Sequence, residues 1–321
     1  MGMACSAQSV LPDSTPNTDA LHVLTALPFT LAVASELADG TSLVIDHIPT
    51  NGRRPSSLPS YLERTGDRFA EYFVSADASV SIGKLWPDDP LYTLAREYSI
   101  QIIDIDATKP WSLRLEGIAV AAQPTQDAPW AAIDSPASNR VLAPPPPSIY
   151  FWHSLANAAR SVEIVGNDLI RLAPQSERSK IADNLTRFRD ELLDTRRIFE
   201  ARLTDIPDPT IAALTADFVY LTNDFGIFVD SYFLKQDVDW TDSDLSAFSG
   251  YLEENDIKVV LHKWEPDARI RQAISDGGAT LAILDPIDLG IVGDAGVEPD
   301  SYQQLFRRNL ETLWSTLEAA N

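Results

Sequence analysis

The chain is poor in the side chains from which most protein chemistry is built: four histidines and one cysteine serve 321 residues. The histidine that stands out is His153, in "SIYFWHSLANAA" (148–159), directly behind four consecutive prolines and close to Tyr150 and Trp152. An imidazole at the mouth of a proline-rich loop could ligate a metal. Zinc takes about four N, S or O ligands in a tetrahedron, so His153 would need partners from distant parts of the chain. Cys5 has no second thiol with which to form a disulfide. There is no Walker-type phosphate loop, GxSxG elbow, HExxH, paired CxxC or GxGxxG behind a strand. "SIGKL" (81–85) has a Gly-Lys pair but neither the upstream glycine nor the Ser/Thr of a phosphate loop. No nucleophile–base set can be assembled, so catalysis is not expected.

Composition narrows the classes further. The formal charge is −22, with 47 acidic residues spread along the whole chain against 25 basic ones. Phosphate recognition needs a basic face, so a nucleic-acid partner is excluded. No window reaches the roughly 18 uninterrupted apolar residues of a membrane span. In "GMACSAQS" (2–9) small residues precede Cys5 and a polar tail rich in Pro, Ser and Thr follows it. That pattern is expected of a lipoprotein cysteine, and membrane contact is expected only through such an anchor, on an extracytoplasmic monomer.

The elements that must position any site alternate along the chain. "LHVLTAL" (21–27) reads as a buried strand, "FTLAVASELADG" (29–40) as a helix with a glycine stop, and "TSLVID" (41–46) as a second strand. An amphipathic helix over 59–73, a strand "ASVSIGKL" (78–85), a helix "DPLYTLAREYS" (89–99) and a strand "IQIIDID" (100–106) continue the rhythm of a parallel α/β sheet. Residues 123–147 carry seven prolines and no periodicity, a surface loop. The chain then reads as helix from 157 to 203 with a break near Pro174, and Ile181, Leu185, Phe188, Leu192, Phe199 and Leu203 form an apolar stripe. Strands at 210–214, 257–262 and 279–285 alternate with helices in a second α/β half, and no internal repeat is evident. The expected fold is two Rossmann-like α/β lobes joined by one long helix, with the ligand cleft between them. The expected division is 1–20 tail, 21–175 N-terminal lobe, 176–204 linking helix and 205–321 C-terminal lobe.

Several strings in this order resemble the ZnuA/TroA-like solute-binding proteins of ABC importers, which bind zinc or manganese. "YFWHSLANAA" (150–159) follows the family string in which a ligand histidine precedes x-Trp-Leu-Asp-Pro and then x-Asn-Ala, with Trp152, Asn157 and Ala158 in register. "FVYLTNDFGIFV" (218–229) matches its Phe-x-Tyr-Phe helix. "IKVVLHKWEPDARIRQAISDGGATLAILDPID" (257–288) reproduces its strand, helix and Leu-Asp-Pro ending, and "SYQQLFRRNLETLWSTL" (301–317) its terminal helix. The match runs from about residue 21 to the C-terminus. It implies two lobes on a rigid linking helix, a metal held in the cleft by histidines and a carboxylate, and an ABC permease as partner.

The departures fall on the metal ligands. The resemblance sets Arg53 of "TNGRRPSSLPSYL" (50–62) at the first ligand histidine, Tyr150 at the second and Thr215 at the third; only Asp285 of "LDP" keeps its carboxylate. Lys263 stands where the family often has a glutamate. A guanidinium cannot ligate, and repulsion between a dication and a guanidinium about 5 Å away amounts to several kcal/mol even at an effective dielectric near 20. Three readings follow. The cleft binds a polar or anionic solute, with Arg53, Arg54 and Lys263 as cations, Tyr150 and Thr215 as hydroxyls, Trp86 and Trp264 as walls and Asp285 as counter-charge. Alternatively His47, His153 and His262 join Asp285 in a displaced zinc or manganese site. In the third, the scaffold serves as a ligand-free adhesin or accessory protein.

Overall fold

The computed structural model describes residues 20–50, 52–106, 117–125, 145–294 and 296–321; Cys5 and most of the proline-rich segment lie outside them. The first lobe runs β1 (His22–Thr25), α1 (Pro28–Ala38), β2 (Val44–His47), α2 (Leu58–Thr65), α3 (Ala70–Ser75), β3 (Ala78–Ser81), α4 (Pro90–Glu97) and β4 (Gln101–Asp104). Its four strands form a parallel sheet in the order β2-β1-β3-β4. All four residues of β3 are buried, as expected of a parallel strand covered by helices on both faces. The single helix expected over 59–73 is divided into α2 and α3 by a 3₁₀ turn, Gly66–Phe69, at the residue least suited to a helix interior.

Helix α5 (Leu155–Leu172) starts where the Ser154 hydroxyl accepts the Asn157 N–H, and ends as Ala173 turns extended ahead of Pro174. Helix α6 (Arg178–Leu203) then runs 26 residues. Its stripe packs as the spacing predicts: Ile181, Phe188, Leu192 and Phe199 are buried, and Leu185 and Leu203 pack against the same core. Gly166 is required at the α5–α6 contact, because a Cβ there would stand 2.4 Å from Leu185 Cδ1.

The second lobe runs β5 (Ile211–Ala213), α7 (Val219–Phe225), β6 (Val229–Tyr232), α8 (Asp242–Glu254), β7 (Val259–His262), α9 (Ala268–Asp276), β8 (Thr280–Ile283), a small hairpin β9 (Val292–Gly293) and β10 (Gly296–Val297), and α10 (Ser301–Ala320). Its parallel sheet has the order β6-β5-β7-β8. This is the strand order of the first lobe, so the halves share topology and not merely class, although their sequences show no repeat. Strand β6 and the hairpin β9–β10 are not among the expected elements: "VDSY" is a mostly half-buried edge strand without the apolar run of its neighbours.

One hydrophobic core runs through both lobes, from β1 and α5 to β5, β7 and α10. Polar contacts lock the same junction. From α7, Asp224 accepts the Leu155 and Ala156 N–H groups at 2.7 and 3.3 Å, capping α5, and pairs with Arg196 of α6 at 3.1 Å. Tyr220 donates to the Ser148 carbonyl, and Tyr302 of α10 donates to the Trp152 carbonyl at 2.8 Å. His153 belongs to this core. It is fully buried, its ring lies 4.9 Å from that of Phe218, and the Pro286 backbone is a polar neighbour. Burial pushes its pKa down to about 3.

Removing the Asp224 carboxylate leaves two helix N–H groups without their acceptor and strips Arg196 of one ion pair, leaving it Glu200 and the backbone carbonyl of residue 224. Asp224→Ala is expected to lower unfolding free energy by about 2–4 kcal/mol in denaturant titration; a loss below about 1 kcal/mol would show that the junction does not depend on it. His153 stays neutral in the folded protein down to about pH 3, whereas the unfolded chain takes up its proton near 6.5. Stability from this residue is complete above pH 6.5 and falls as pH drops towards 3. His47 and His262, lowered to about 4, act in the same direction; Asp104 and Asp288, raised to about 6, act oppositely. His153→Phe should therefore make the dependence of stability on pH less steep between 6.5 and 4, and an unchanged slope would contradict the buried neutral state.

Candidate functional site between the lobes

In parallel α/β sheets, ligands bind outside the carboxyl ends of the strands. Here the segment after β2 carries Arg53 and Arg54, that after β5 carries Thr215 and Asp217, that after β7 carries Lys263 and Trp264, and that after β8 carries Asp285 and Asp288. Tyr150 joins them from the segment entering α5.

The predicted cations are not equivalent. Arg53 stays with its own lobe: its guanidinium lies 4.0 Å from the centroid of the Tyr61 ring and donates to the Thr50 carbonyl. Arg54 reaches across the cleft, its Nε 3.8 Å from Asp288 and its guanidinium 5.9 Å from the Trp264 ring. Lys263 donates to Asp217 at 2.7 Å, with the two side chains only 17 and 11% exposed, and its ammonium lies 5.1 Å from the same Trp264 ring. Trp264 is thus a wall shared by both ion pairs. Trp86 packs half-buried against the core of the first lobe. Thr215 is buried and its hydroxyl accepts the Asp217 N–H at 3.4 Å, which turns the Asp217 carboxylate towards Lys263.

The "LDPID" turn after β8 is held from three sides. Asn309 of α10 brackets Asp285, donating to its carbonyl and accepting its N–H, while the Trp152 indole donates to the Pro286 carbonyl. The Asp285 carboxylate accepts the Ile287 N–H at 2.7 Å. Ile287 has φ +58°, a left-handed conformation unfavourable for a β-branched residue. The turn delivers Asp288, 5% exposed, to Arg54. Asp285, the predicted ligand carboxylate, thus shapes the turn, and Asp288 makes the contact across the cleft.

Electrostatics tie these groups into one cluster. Burial raises the Asp288 carboxyl to about 6; Arg54 and Lys263 pull it down, Asp285 and Asp217 push it further up. Burial, then the charges of Asp217 and Asp288, raise the Tyr150 hydroxyl well above its ordinary value, and Arg54 opposes this. Sequence reasoning missed Asp217 and Asp288. The signals were slight: a carboxylate two residues after Thr215, and a second one in "LDPID".

Of the histidines in the displaced-metal reading, His153 and His262 are buried and His47 is half-buried. His153 is enclosed in the core, because the start of α5 turns its ring inward against Phe218. His47, at the end of β2, has Nδ1 2.9 Å from the Thr25 hydroxyl on the neighbouring strand, its register partner. His262 is buried edge-on to Trp264 at 4.6 Å. Among the described residues, no three or more His, Cys, Asp or Glu side chains are grouped so as to hold a metal ion.

Comparison with known proteins bears on the fold and the family. Over most of its length the chain is similar to an FpvC mutant from Pseudomonas aeruginosa, with TM-score 0.70, 18% identity, and 93 and 100% of the two chains covered. FpvC from the same organism in complex with Ni²⁺ gives TM-score 0.65 at 18% identity over 94 and 98%. The metal-free S38A mutant of a periplasmic metal-binding protein from Candidatus Liberibacter asiaticus gives 0.64 at 18% over 92 and 99%. These likenesses show the two-lobed α/β fold. No curated protein matches by sequence. The family model described as ZnuA, zinc-uptake complex component A, periplasmic, matches residues 95–315, more than half the chain, and on that ground the protein belongs to the ZnuA family of solute-binding receptors.

Proposed function

We propose that this chain is the extracytoplasmic receptor of an ABC-type importer, and that its interlobe cleft takes a small polar organic solute in place of a bare divalent cation. Family membership and fold support the receptor role, with a permease as the partner. The observation that carries the choice of solute is the Lys263–Asp217 pair, 2.7 Å apart and largely buried. A dication at this carboxylate would have to displace the ammonium and remain close to Arg54, against two fixed positive charges. The relatives whose structures hold Ni²⁺ or Mn²⁺ show that the fold can carry a metal ion. In this chain arginine, tyrosine and threonine stand where the family resemblance sets histidines, and lysine stands near the remaining carboxylates. The reaction is binding and delivery, and the tail around Cys5 is the proposed lipid anchor.

Native mass spectrometry with elemental analysis of the freshly purified protein should find no stoichiometric zinc or manganese, and either metal should move the melting temperature by less than about 1 °C. One equivalent of bound metal, with stabilisation lost in Asp285→Ala, would overturn the organic-solute reading. For the anchor, Cys5→Ser expressed from the native gene in its own host should move the protein from the membrane to the soluble extracytoplasmic fraction; unchanged membrane association would contradict lipidation at Cys5.

A further inference from the structure

The cleft holds two opposite-charge pairs whose cations both approach one indole. Arg54 from the first lobe meets Asp288 at 3.8 Å, and Lys263 meets Asp217 at 2.7 Å, with the guanidinium 5.9 Å and the ammonium 5.1 Å from the Trp264 ring. Asp288 and Asp217 are both buried. A ligand entering this space must exchange with one or both pairs, and its charge determines whether the exchange leaves anything unpaired. A lone anion that takes Arg54 strands Asp288 in a buried setting. A lone cation that takes Asp217 strands the largely buried Lys263, and one that takes Asp288 frees the half-exposed Arg54 to water. Breaking one side of a buried pair is strongly unfavourable, because the remaining charge is desolvated without a partner. A neutral polyol offers neither counter-charge, so it leaves the pairs closed.

We infer that the solute is a small zwitterion, a molecule with a carboxylate and an ammonium on a short spacer, bound by exchange with the Arg54–Asp288 pair. Its carboxylate takes the Arg54 guanidinium in a paired hydrogen-bonded contact and its ammonium takes Asp288, while Lys263 and Asp217 stay paired beside it. The Trp264 face supports the cationic end, and the Tyr150 hydroxyl is the neutral donor beside it. The spacer is short because Arg54 and Asp288 lie within 3.8 Å of each other. This rests on the organic-solute reading proposed above and specifies the class of that solute.

The test is a binding panel by calorimetry and thermal shift on the full chain. It contains the common α-amino acids, several ω-amino acids and betaines, the amine and carboxylate analogues lacking one charge, and glucose as a neutral polyol. The expected result is at least one zwitterion that binds about 100-fold tighter than its carboxylate analogue, the discrimination that one stranded buried charge produces, and about tenfold tighter than its amine analogue, which frees only the half-exposed Arg54. Two variants make the preference specific to this pair. Arg54 is half-exposed, so Arg54→Met should fold; it should weaken the zwitterion by about tenfold or more and turn preference towards the amine analogue. Asp288→Asn, nearly isosteric, should turn preference towards the carboxylate analogue. The inference is overturned if no zwitterion outperforms its singly charged analogues, if glucose binds best, or if both variants keep the wild-type preference. A protein that is free of metal and binds a singly charged or neutral organic solute would leave the organic-solute reading standing and remove this one; stoichiometric metal would remove both.

Discussion

The junction around Asp224 is the constraint on which the rest of the molecule depends. A single carboxylate on α7 caps the N-terminus of α5 and pairs with Arg196 of the linking helix, so the two lobes and the helix between them share one polar centre. A helix N-terminus carries unsatisfied N–H groups and partial positive charge, and a carboxylate supplied by the other lobe satisfies both. Around that centre the core is continuous, and Tyr220 and Tyr302 add hydrogen bonds from the second lobe to the segments of the first. The strand ends carried by this frame face each other across the junction, and their side chains meet there.

That junction sets the charges of the cleft face to face. Receptors that hold a bare dication surround it with ligands, whereas this chain supplies its own cations, each set against a carboxylate on the second lobe. The pairing is economical in geometry: Trp264 lies near both cations, and Thr215 orients Asp217. The left-handed Ile287 is the local exception to an otherwise relaxed backbone at this site. The Asp285 carboxylate, Asn309 and Trp152 all hold the strained turn. Strain maintained by three independent contacts is characteristic of functional sites, and its product here is the position of Asp288.

Much of the fold was legible in the chain because periodicity survives without its neighbours. The stripe of α6, the break at Pro174 and the alternation of short apolar strands each follow from local rules that burial enforces. Edge strand β6 was not legible, because "VDSY" is half-buried and only its pairing with β5 makes it a strand. The split between α2 and α3 shows a glycine interrupting a pattern that hydrophobic spacing alone would continue.

The sequence by itself determined that two α/β halves flank a long helix, and its family resemblance set Arg53, Tyr150 and Thr215 at the expected ligand positions. Those conclusions depend on residue identity and spacing along one chain. The tertiary structure alone decided which of two adjacent arginines enters the cleft, that His153 is a core residue, and that Asp217 and Asp288 are the carboxylates facing the cations. The physical reason is that charges act through space: a pair such as Arg54 and Asp288 is separated by most of the sequence, and only the junction of the two lobes brings it within 3.8 Å.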